Sequence, residues 1–268
     1  MKVQNARTLF EACPLCSESS FIPVREAEAQ AHPQWFDALE PSNQWKGCTN
    51  CGHLFADGYF EGEIAERVLA GGMEPTSTPD LEMARHFSAQ IVERVSSVRG
   101  AIGGRWLDVG FGNGSLLATA DEFGYEAVGV DLRERRVAPM AELGYDARHA
   151  DFLQFEDDEG FDVVSFCEVL ERMPFPNEAI AKAKELMPNG GHLFLSTPNV
   201  NSHAWKLMDK GNENPYWSEI EQLHAFSREH AYYLLGQHGF SPVHFTVGKR
   251  FRAEMAIVAE WRPEDSAE

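Results

Sequence analysis

From residue 105 onward the chain alternates short apolar runs with longer stretches in which apolar side chains recur every three or four positions. Trp106-Leu107-Asp108-Val109, Ala127-Val128-Gly129-Val130, Val163-Val164-Ser165-Phe166-Cys167 and Leu193-Phe194-Leu195 are almost continuously apolar. Strands covered on both faces read this way, whereas a strand with one wet face alternates. The pattern predicts strands near 105–109, 126–130, 145–149, 162–167, 192–197, 241–247 and 253–261, with helices near 115–123, 134–143, 176–187 and 226–238. Strand and helix in succession build a parallel sheet with helices on both faces. The last two strands lie too close for a crossover helix, so they should form a hairpin and leave the final strand antiparallel. The expected fold is α/β, a doubly wound, seven-stranded, mostly parallel sheet.

The pattern ahead of residue 105 is different. Residues 70–80 concentrate Gly, Pro, Ser and Thr and read as a linker. Asp80 is then expected to cap a helix that carries Leu81, Ala84, Phe87, Ile91, Val92 and Val95 at helical spacing. Earlier still, Phe21-Ile22-Pro23-Val24 reads as a strand beside a polar, alanine-rich stretch too poor in large apolar residues to build a core alone. This divides the chain into an N-terminal module over 1–70, a linker and helix over 71–100, and an α/β domain over 101–268.

The first apolar run of that domain turns through Asp108-Val109-Gly110-Phe111-Gly112-Asn113-Gly114-Ser115 into a helix. Strand, glycine turn and helix start make a ligand cradle, because glycine lets the backbone approach a bound molecule and a helix start presents free N–H groups. A dinucleotide site wants G-x-G-x-x-G. Here the spacing is G-x-G-x-G, with Ser115 in place of the last glycine, and Asp108 adds a carboxylate that repels pyrophosphate and welcomes an ammonium. A ligand with an amino and a carboxylate end, such as the methionine part of S-adenosylmethionine, suits the site better. Asp131 ends the second strand about twenty residues on, where an acid holds ribose hydroxyls in such folds.

With Asp151-Phe152 after the third strand, Phe161-Asp162-Val163-Val164-Ser165-Phe166-Cys167-Glu168-Val169-Leu170-Glu171 at the fourth, and Leu186-Met187-Pro188-Asn189-Gly190-Gly191 leading into the fifth, residues 105–262 resemble the class I S-adenosylmethionine-dependent methyltransferases. The resemblance implies a Rossmann-like methyltransferase fold and S-adenosylmethionine as cofactor. It implies that Asp108, Gly110, Gly112 and Gly114 surround the methionine moiety, that Asp131 accepts from the ribose, and that Asp151 accepts from the adenine amino group with Leu132 and Phe152 against the ring. Glu168 and Val169 would line the route to the sulfonium. The helix ahead of the first strand commonly covers the cofactor in such proteins.

Methyl transfer needs alignment of donor and acceptor and exclusion of water more than a strong acid or base. A hydroxyl or acidic carbon acceptor would still gain from a base, and the candidates are His224, Glu168 and Glu171, in that order. His224 stands in Glu221-Gln222-Leu223-His224-Ala225-Phe226-Ser227, which resembles a segment of small-molecule methyltransferases that have a lid. Many relatives carry histidine after the fourth strand, where this chain has Leu170-Glu171-Arg172. Arg172 could pair with an acidic substrate or a neighbouring acid. The long connection over about 199–227 contains Trp205, Met208, Tyr216 and Trp217 and leaves the carboxyl edge of the sheet, so it is expected to be a substrate lid.

Cys13-Pro14-Leu15-Cys16 and Cys48-Thr49-Asn50-Cys51 form a C-x2-C…C-x2-C array, and Cys167 stands apart at a strand end as a small apolar residue. Two such pairs can place Cys13, Cys16, Cys48 and Cys51 tetrahedrally around a structural zinc, which would supply folding free energy to the module. His53 follows closely but has four thiols ahead of it as ligands, so a packing or hydrogen-bonding role is expected.

Charge narrows the partners. The formal net charge is −19, which argues against a nucleic-acid backbone, since such binding concentrates positive charge. Clusters at Arg133, Arg135, Arg136 and at Lys249, Arg250, Arg252 read as solvated surface. Met1-Lys2-Val3-Gln4-Asn5 has no charged-then-apolar leader pattern and no apolar run approaches the ~20 residues of a membrane span, so a cytoplasmic protein is expected. The expected function is methyl transfer to a small molecule, such as a sugar, a polyketide or another secondary metabolite. The alternatives are a methyltransferase for a protein or RNA docked by the zinc module, and a binding protein that keeps the fold. The intact set of cofactor acids and glycines argues against the last.

Overall fold

A computed structural model describes residues 6–70, 78–248 and 253–263, with only the helical backbone given for 78–81. Most of the expected linker and the Lys249, Arg250, Arg252 cluster lie outside the described residues. Five short strands come first, β1 (Thr8–Leu9), β2 (Phe21–Glu28), β3 (Ser42–Cys48), β4 (Leu54–Ala56) and β5 (Gly58–Tyr59), followed by α1 (Gly62–Ala70) and α2 (Thr78–Arg99). The α/β part runs β6 (Gly104–Val109), α3 (Ser115–Glu122), β7 (Tyr125–Asp131), α4 (Glu134–Glu142), β8 (Asp146–His149), β9 (Val163–Cys167), α5 (Pro176–Glu185) and β10 (Gly191–Pro198). It closes with α6 (His203–Gly211), β11 (His224–Ala225), α7 (Arg228–Gln237), β12 (Ser241–Val247) and β13 (Glu254–Trp261). Among the described residues no helix is long and apolar enough to cross a membrane.

The main sheet has seven strands in the order β12-β13-β10-β9-β6-β7-β8. β6 pairs in parallel with β9 and β7, and β13 pairs antiparallel with both β10 and β12, as the hairpin argument requires. Successive side chains of β6 point to opposite faces. Leu107 and Val109 join Val128, Val164, Phe166 and Leu195 under α5 and α7, while Trp106 joins Val163, Phe194 and Val258 under α2 and α3. Both faces being covered explains the unbroken apolar runs. The chain leaves β6 toward β7 and returns through β9 on its other side, which opens a crevice at the carboxyl ends of these strands.

Helix limits follow from caps. α7 starts at Arg228, not 226, because Ser227 Oγ accepts from the His230 N–H and fixes the helix start there. α2 starts at Thr78, so Asp80 lies inside its first turn and is not its cap. Its Val92 and Val95 pack against the face that holds Trp106 and Leu117, and Ser88 Oγ lies 3.1 Å from Ser115 Oγ of α3.

A second sheet, ordered β11-β4-β3-β2, joins the two ends of the chain. β11 comes from the connection after β10, and its His224 and Ala225 pair with Phe55 and Leu54. The aromatics of this connection, expected in a lid, are interior. Trp205, Tyr216 and Trp217 pack with Trp45 and Ala225, with Trp45 edge-on to Trp217 at 5.0 Å. Trp45 Nε1 donates to the Trp217 carbonyl at 2.9 Å, and Asn43 Nδ2 donates to the carbonyls of Trp217 and Glu219. Asn43 in turn accepts from Arg7 NH2 at 3.1 Å. Because a buried carbonyl left unpaired is costly, Asn43→Ala is expected to lower unfolding free energy by about 2 kcal/mol, read by urea denaturation, while a surface change such as Glu142→Ala stays near neutral.

Candidate functional site

The turn after β6 is held from both sides. Gly110 N donates to the Val130 carbonyl at 2.7 Å, and Gly110 has φ of 63°, a left-handed conformation that favours glycine. A Cβ there would also come within 2.8 Å of Val169 Cγ2, so Gly110 and Val169 define the width of the crevice between β6 and β9. Gly114, at φ 76°, precedes α3 and faces Met140, so it serves the turn and does not wall the crevice.

A cavity of about 720 Å³ opens from this turn. One half is walled by Val109, Gly110 and Gly112, by Asp131 and Leu132 after β7, by Asp151 and Phe152 after β8, and by Cys167, Glu168 and Val169 after β9. Of the residues expected at the cofactor, Gly110, Gly112, Asp131, Leu132, Asp151, Phe152, Glu168 and Val169 are thus brought together from four strand ends, with Val109 and Cys167 beside them. Asp131 is 3% exposed and already engaged, since its carboxylate accepts from Arg133 Nε at 2.9 Å, from the Arg133 backbone N–H and, at 3.3 Å, from Gly112 N. Asp151 Oδ1 accepts from Leu153 N at 3.0 Å and so caps the short turn Phe152–Gln154 as well as facing the cavity. Leu132 stays exposed beside it, an apolar face suited to a ring. Asp108 lies just behind this wall, 1% exposed, and burial with the nearby Asp131 charge pushes its carboxyl up to about 7 against the opposing hydrogen bond from Ser165.

The other half of the cavity draws on the end of the connection expected as a substrate lid and on an N-terminal wall that the sequence does not announce. It is walled by His32, Pro33 and Gln34 between β2 and β3, by Tyr59, Phe60 and Glu61 at the end of β5, by Ala65, Val68 and Leu69 of α1, by 172–175 after β9, and by 219–221 and Leu223. Among the described residues the helix over the cavity is thus α1, while α2 packs behind the sheet. Tyr59 and Phe175 meet edge to face at 5.2 Å. Arg172 reaches Glu221 at 2.5 Å, and Glu221 also accepts from Gln34 Nε2 at 2.5 Å, so three distant segments meet in one polar chain. Nothing in the local sequence around His32 or Gln34 announces this wall, because it exists only through contacts far along the chain.

The three base candidates separate cleanly. Glu168 lines the cavity at the junction of its halves, in a left-handed conformation with φ of 53°, its N–H donating to Ser196 O at 3.0 Å and its carbonyl accepting from Arg172 Nε at 3.1 Å. Glu171 is 1% exposed and off the cavity wall, and burial raises its carboxyl to about 8, with Arg172 pulling the other way. His224 is fully buried. Its Nδ1 lies 3.2 Å from His53 Nε2 and its Nε2 2.9 Å from the Met173 carbonyl, and burial lowers its pKa to about 4. The structure therefore does not bring His224 to the cavity. It stacks His224 on the buried His53, which the half-buried His230 meets edge-on.

Cys13, Cys16, Cys48 and Cys51 lie with all sulfurs within 4.8 Å of one another. Cys13 and Cys51 are 3.8 Å apart at sulfur, and Cys16 and Cys48 are 3.5 Å apart. A disulfide would need about 2.05 Å. Four thiolates about 2.3 Å from a zinc ion would stand roughly 3.8 Å from one another, so the donor set fits that metal. Cys51 N at 3.5 Å from Cys48 Sγ and Asn50 Nδ2 at 3.8 Å from Cys16 Sγ point donors at sulfur, as thiolate sites require.

A family model described as a methyltransferase domain matches residues 81–244. The chain is 36% identical over 134 residues to a ubiquinone biosynthesis O-methyltransferase of Pseudomonas entomophila, covering 46% of this chain and 55% of that protein. It is 33% identical over 116 residues to the Idiomarina loihiensis protein of the same name, covering 40% and 48%. The chain thus spans about half the length of the curated relatives it matches. Among solved structures it resembles magnesium protoporphyrin IX methyltransferase from Synechocystis with S-adenosylhomocysteine bound, at a TM-score of 0.56 and 19% identity over 71% of this chain and 90% of that one. It also resembles a 1,6-didemethyltoxoflavin-N1-methyltransferase of Burkholderia thailandensis, at a TM-score of 0.55 and 17% identity over 80% and 98%. At such identities the structures speak for the fold, and with the family match and the motifs in place the chain belongs to the class I S-adenosylmethionine-dependent methyltransferases.

Proposed function

We propose that this protein methylates a small hydroxylated molecule held between the cofactor crevice and the wall supplied by the N-terminal region. The observation that carries the reading is the single cavity that runs from the glycine turn to Tyr59, Phe60 and Gln34. A pocket of this size suits a small molecule beside a cofactor, and the net charge of −19 disfavours a nucleic acid. Relatives named ubiquinone biosynthesis O-methyltransferase favour oxygen as the acceptor atom.

When bound, S-adenosylmethionine supplies a methyl group on a positively charged sulfur. In this reading Asp108 with Gly110 and Gly112 holds the methionine end, Asp131 the ribose, and Asp151, Leu132 and Phe152 the adenine. Gly114 supports the turn from behind. Val169 narrows the passage between the halves. Glu168 takes the proton from the acceptor hydroxyl, as the candidate carboxylate that faces the cavity. Tyr59, Phe60 and Phe175 exclude water and pack on the acceptor, and Arg172 with Glu221 offers hydrogen bonds to its oxygens. His224 and Glu171 support the walls, the first by tying β11 to the turn after β9 and the second by remaining a buried neutral acid.

The cysteine cluster fits a structural zinc, because four sulfurs close the coordination shell and leave no position for chemistry. Its place in the reading is to hold the N-terminal wall against α5 and α7. Asn177 Nδ2 donates to the carbonyls of Pro14 and Leu15, and His230 Nε2 contacts the Cys51 carbonyl at 2.9 Å.

Two outcomes are expected. With catechol and 3,4-dihydroxybenzaldehyde as probe acceptors, the protein forms O-methylated product by mass spectrometry, and Glu168→Gln lowers kcat by about a hundredfold while S-adenosylhomocysteine affinity changes by less than about threefold. No product from either probe would count against the proposed hydroxyl acceptor. Elemental analysis gives one zinc per chain, and Cys48→Ser loses it together with a drop in melting temperature of about 5 °C or more.

A further inference from the structure

The register of β6 on β9 sets Asp108 opposite Ser165. Ser165 Oγ stands 2.7 Å from Asp108 Oδ1, and Trp106 Nε1 donates to that same hydroxyl at 2.9 Å. A hydroxyl has one proton to give, and an indole N–H can only donate. With the indole occupying a lone pair, the proton of Ser165 is directed away from Trp106. It can go to Asp108 Oδ1 or to the Leu107 carbonyl at 3.3 Å, and the shorter, charge-assisted contact wins. Trp106 and Ser165 are fully buried, so water does not compete for these bonds. The other oxygen of Asp108, Oδ2, bonds to nothing among the described residues.

We propose that Ser165, braced by Trp106, is a positioning residue for cofactor capture, which aims the Asp108 carboxylate at the ammonium group of the ligand. The proposal rests on the methyltransferase reading of the site and concerns residues on β6 and β9 behind the cavity wall. The hydroxyl stabilises the ionised form of Asp108 through one oxygen and leaves the second to the ligand.

The charges around Asp108 set the sign. Asp131 on β7 opposes its ionisation, Cys167 on β9 is a half-buried thiol pushed well up by desolvation, and Arg133 is turned onto Asp131. Burial and Asp131 together place the Asp108 carboxyl at about 7 in the free protein. Above that pH the site holds a carboxylate ready for an ammonium. Below it the site holds an acid, and the ligand binds only by displacing the proton. Affinity for an amino-bearing ligand should therefore level off above pH 7 and fall by about tenfold per unit below it. Removing the Ser165 hydroxyl withdraws a bond to the charged form and moves that midpoint upward by about one unit.

The test is calorimetric titration with S-adenosylhomocysteine from pH 5.5 to 8, repeated in buffers of different ionisation enthalpy so that released protons are counted. The wild-type protein should show the midpoint near 7 and release close to one proton per ligand at pH 6. Ser165→Ala should move the midpoint up by about one unit and bind about eightfold more weakly at pH 6.5, with Ser165→Thr restoring the wild-type profile. If Ser165→Ala does not fold, Ser165→Cys, a weaker donor, should move the midpoint the same way. A flat wild-type profile with tight binding overturns the proposal and leaves the methyltransferase reading standing. So does a Ser165→Ala loss that is equal at every pH, which is what a merely structural role would give. Failure of the wild type to bind S-adenosylhomocysteine at any pH removes both.

Discussion

The pairing of β11 with β4 is the constraint on which the rest of the site depends. It bonds residues 224–225 to residues 54–55, across most of the chain, and so brings the connection after β10 onto the N-terminal sheet. The bonds from Trp45 and Asn43 to the Trp217 and Glu219 carbonyls lie on the same seam. Once that seam closes, Glu221 is presented to Arg172 and Gln34, Tyr59 and Phe60 stand over the crevice, and the cavity acquires its second half. The seam also explains why His224 is interior: a residue in the bonded register, under Phe55 and beside His53, has no path to a substrate.

The cysteine cluster acts on the same seam from its far side. Its four sulfurs gather the ends of two loops that have little apolar surface of their own, and those loops then bond to α5 and α7. The proposed zinc would give order to a segment with so small an interior, since closing long loops is entropically costly. The N-terminal wall of the cavity is thus built from a part of the chain that leans on both the cysteine cluster and the α/β core.

What was legible in the sequence follows physical range. The main sheet could be read because strands covered on both faces leave unbroken apolar runs, and the hairpin of β12 with β13 because no helix fits between them. The glycine turn could be read because its backbone geometry favours glycine at Gly110, and Asp131 because it ends the strand beside that turn. The clustering of the four cysteines could be read because two C-x2-C pairs have the spacing that a four-sulfur site needs. Beyond the strand read at residues 21–24 the second sheet was hidden, since the buried face of β3 carries the polar Asn43 and Gly47 beside Trp45 and so shows no apolar alternation, and since β11 is only two residues long. The aromatics at 205–217 look alike whether they close over a substrate or fill an interior, and only the partner at Trp45 decides. Arg172 could be expected to pair with an acid, but Glu221 as that acid depends on tertiary contact alone.

The central claim is that one cavity is divided between a cofactor half built by the α/β core and an acceptor half built by the N-terminal region. A crystal structure of the complete chain with S-adenosylhomocysteine tests it most directly. The account predicts the ligand along Asp108, Gly110, Asp131 and Asp151, with the space beyond its sulfur bounded by Glu168, Arg172, Tyr59 and Gln34. A ligand seated elsewhere, or a sulfur that opens onto solvent with the N-terminal wall swung away, would contradict it.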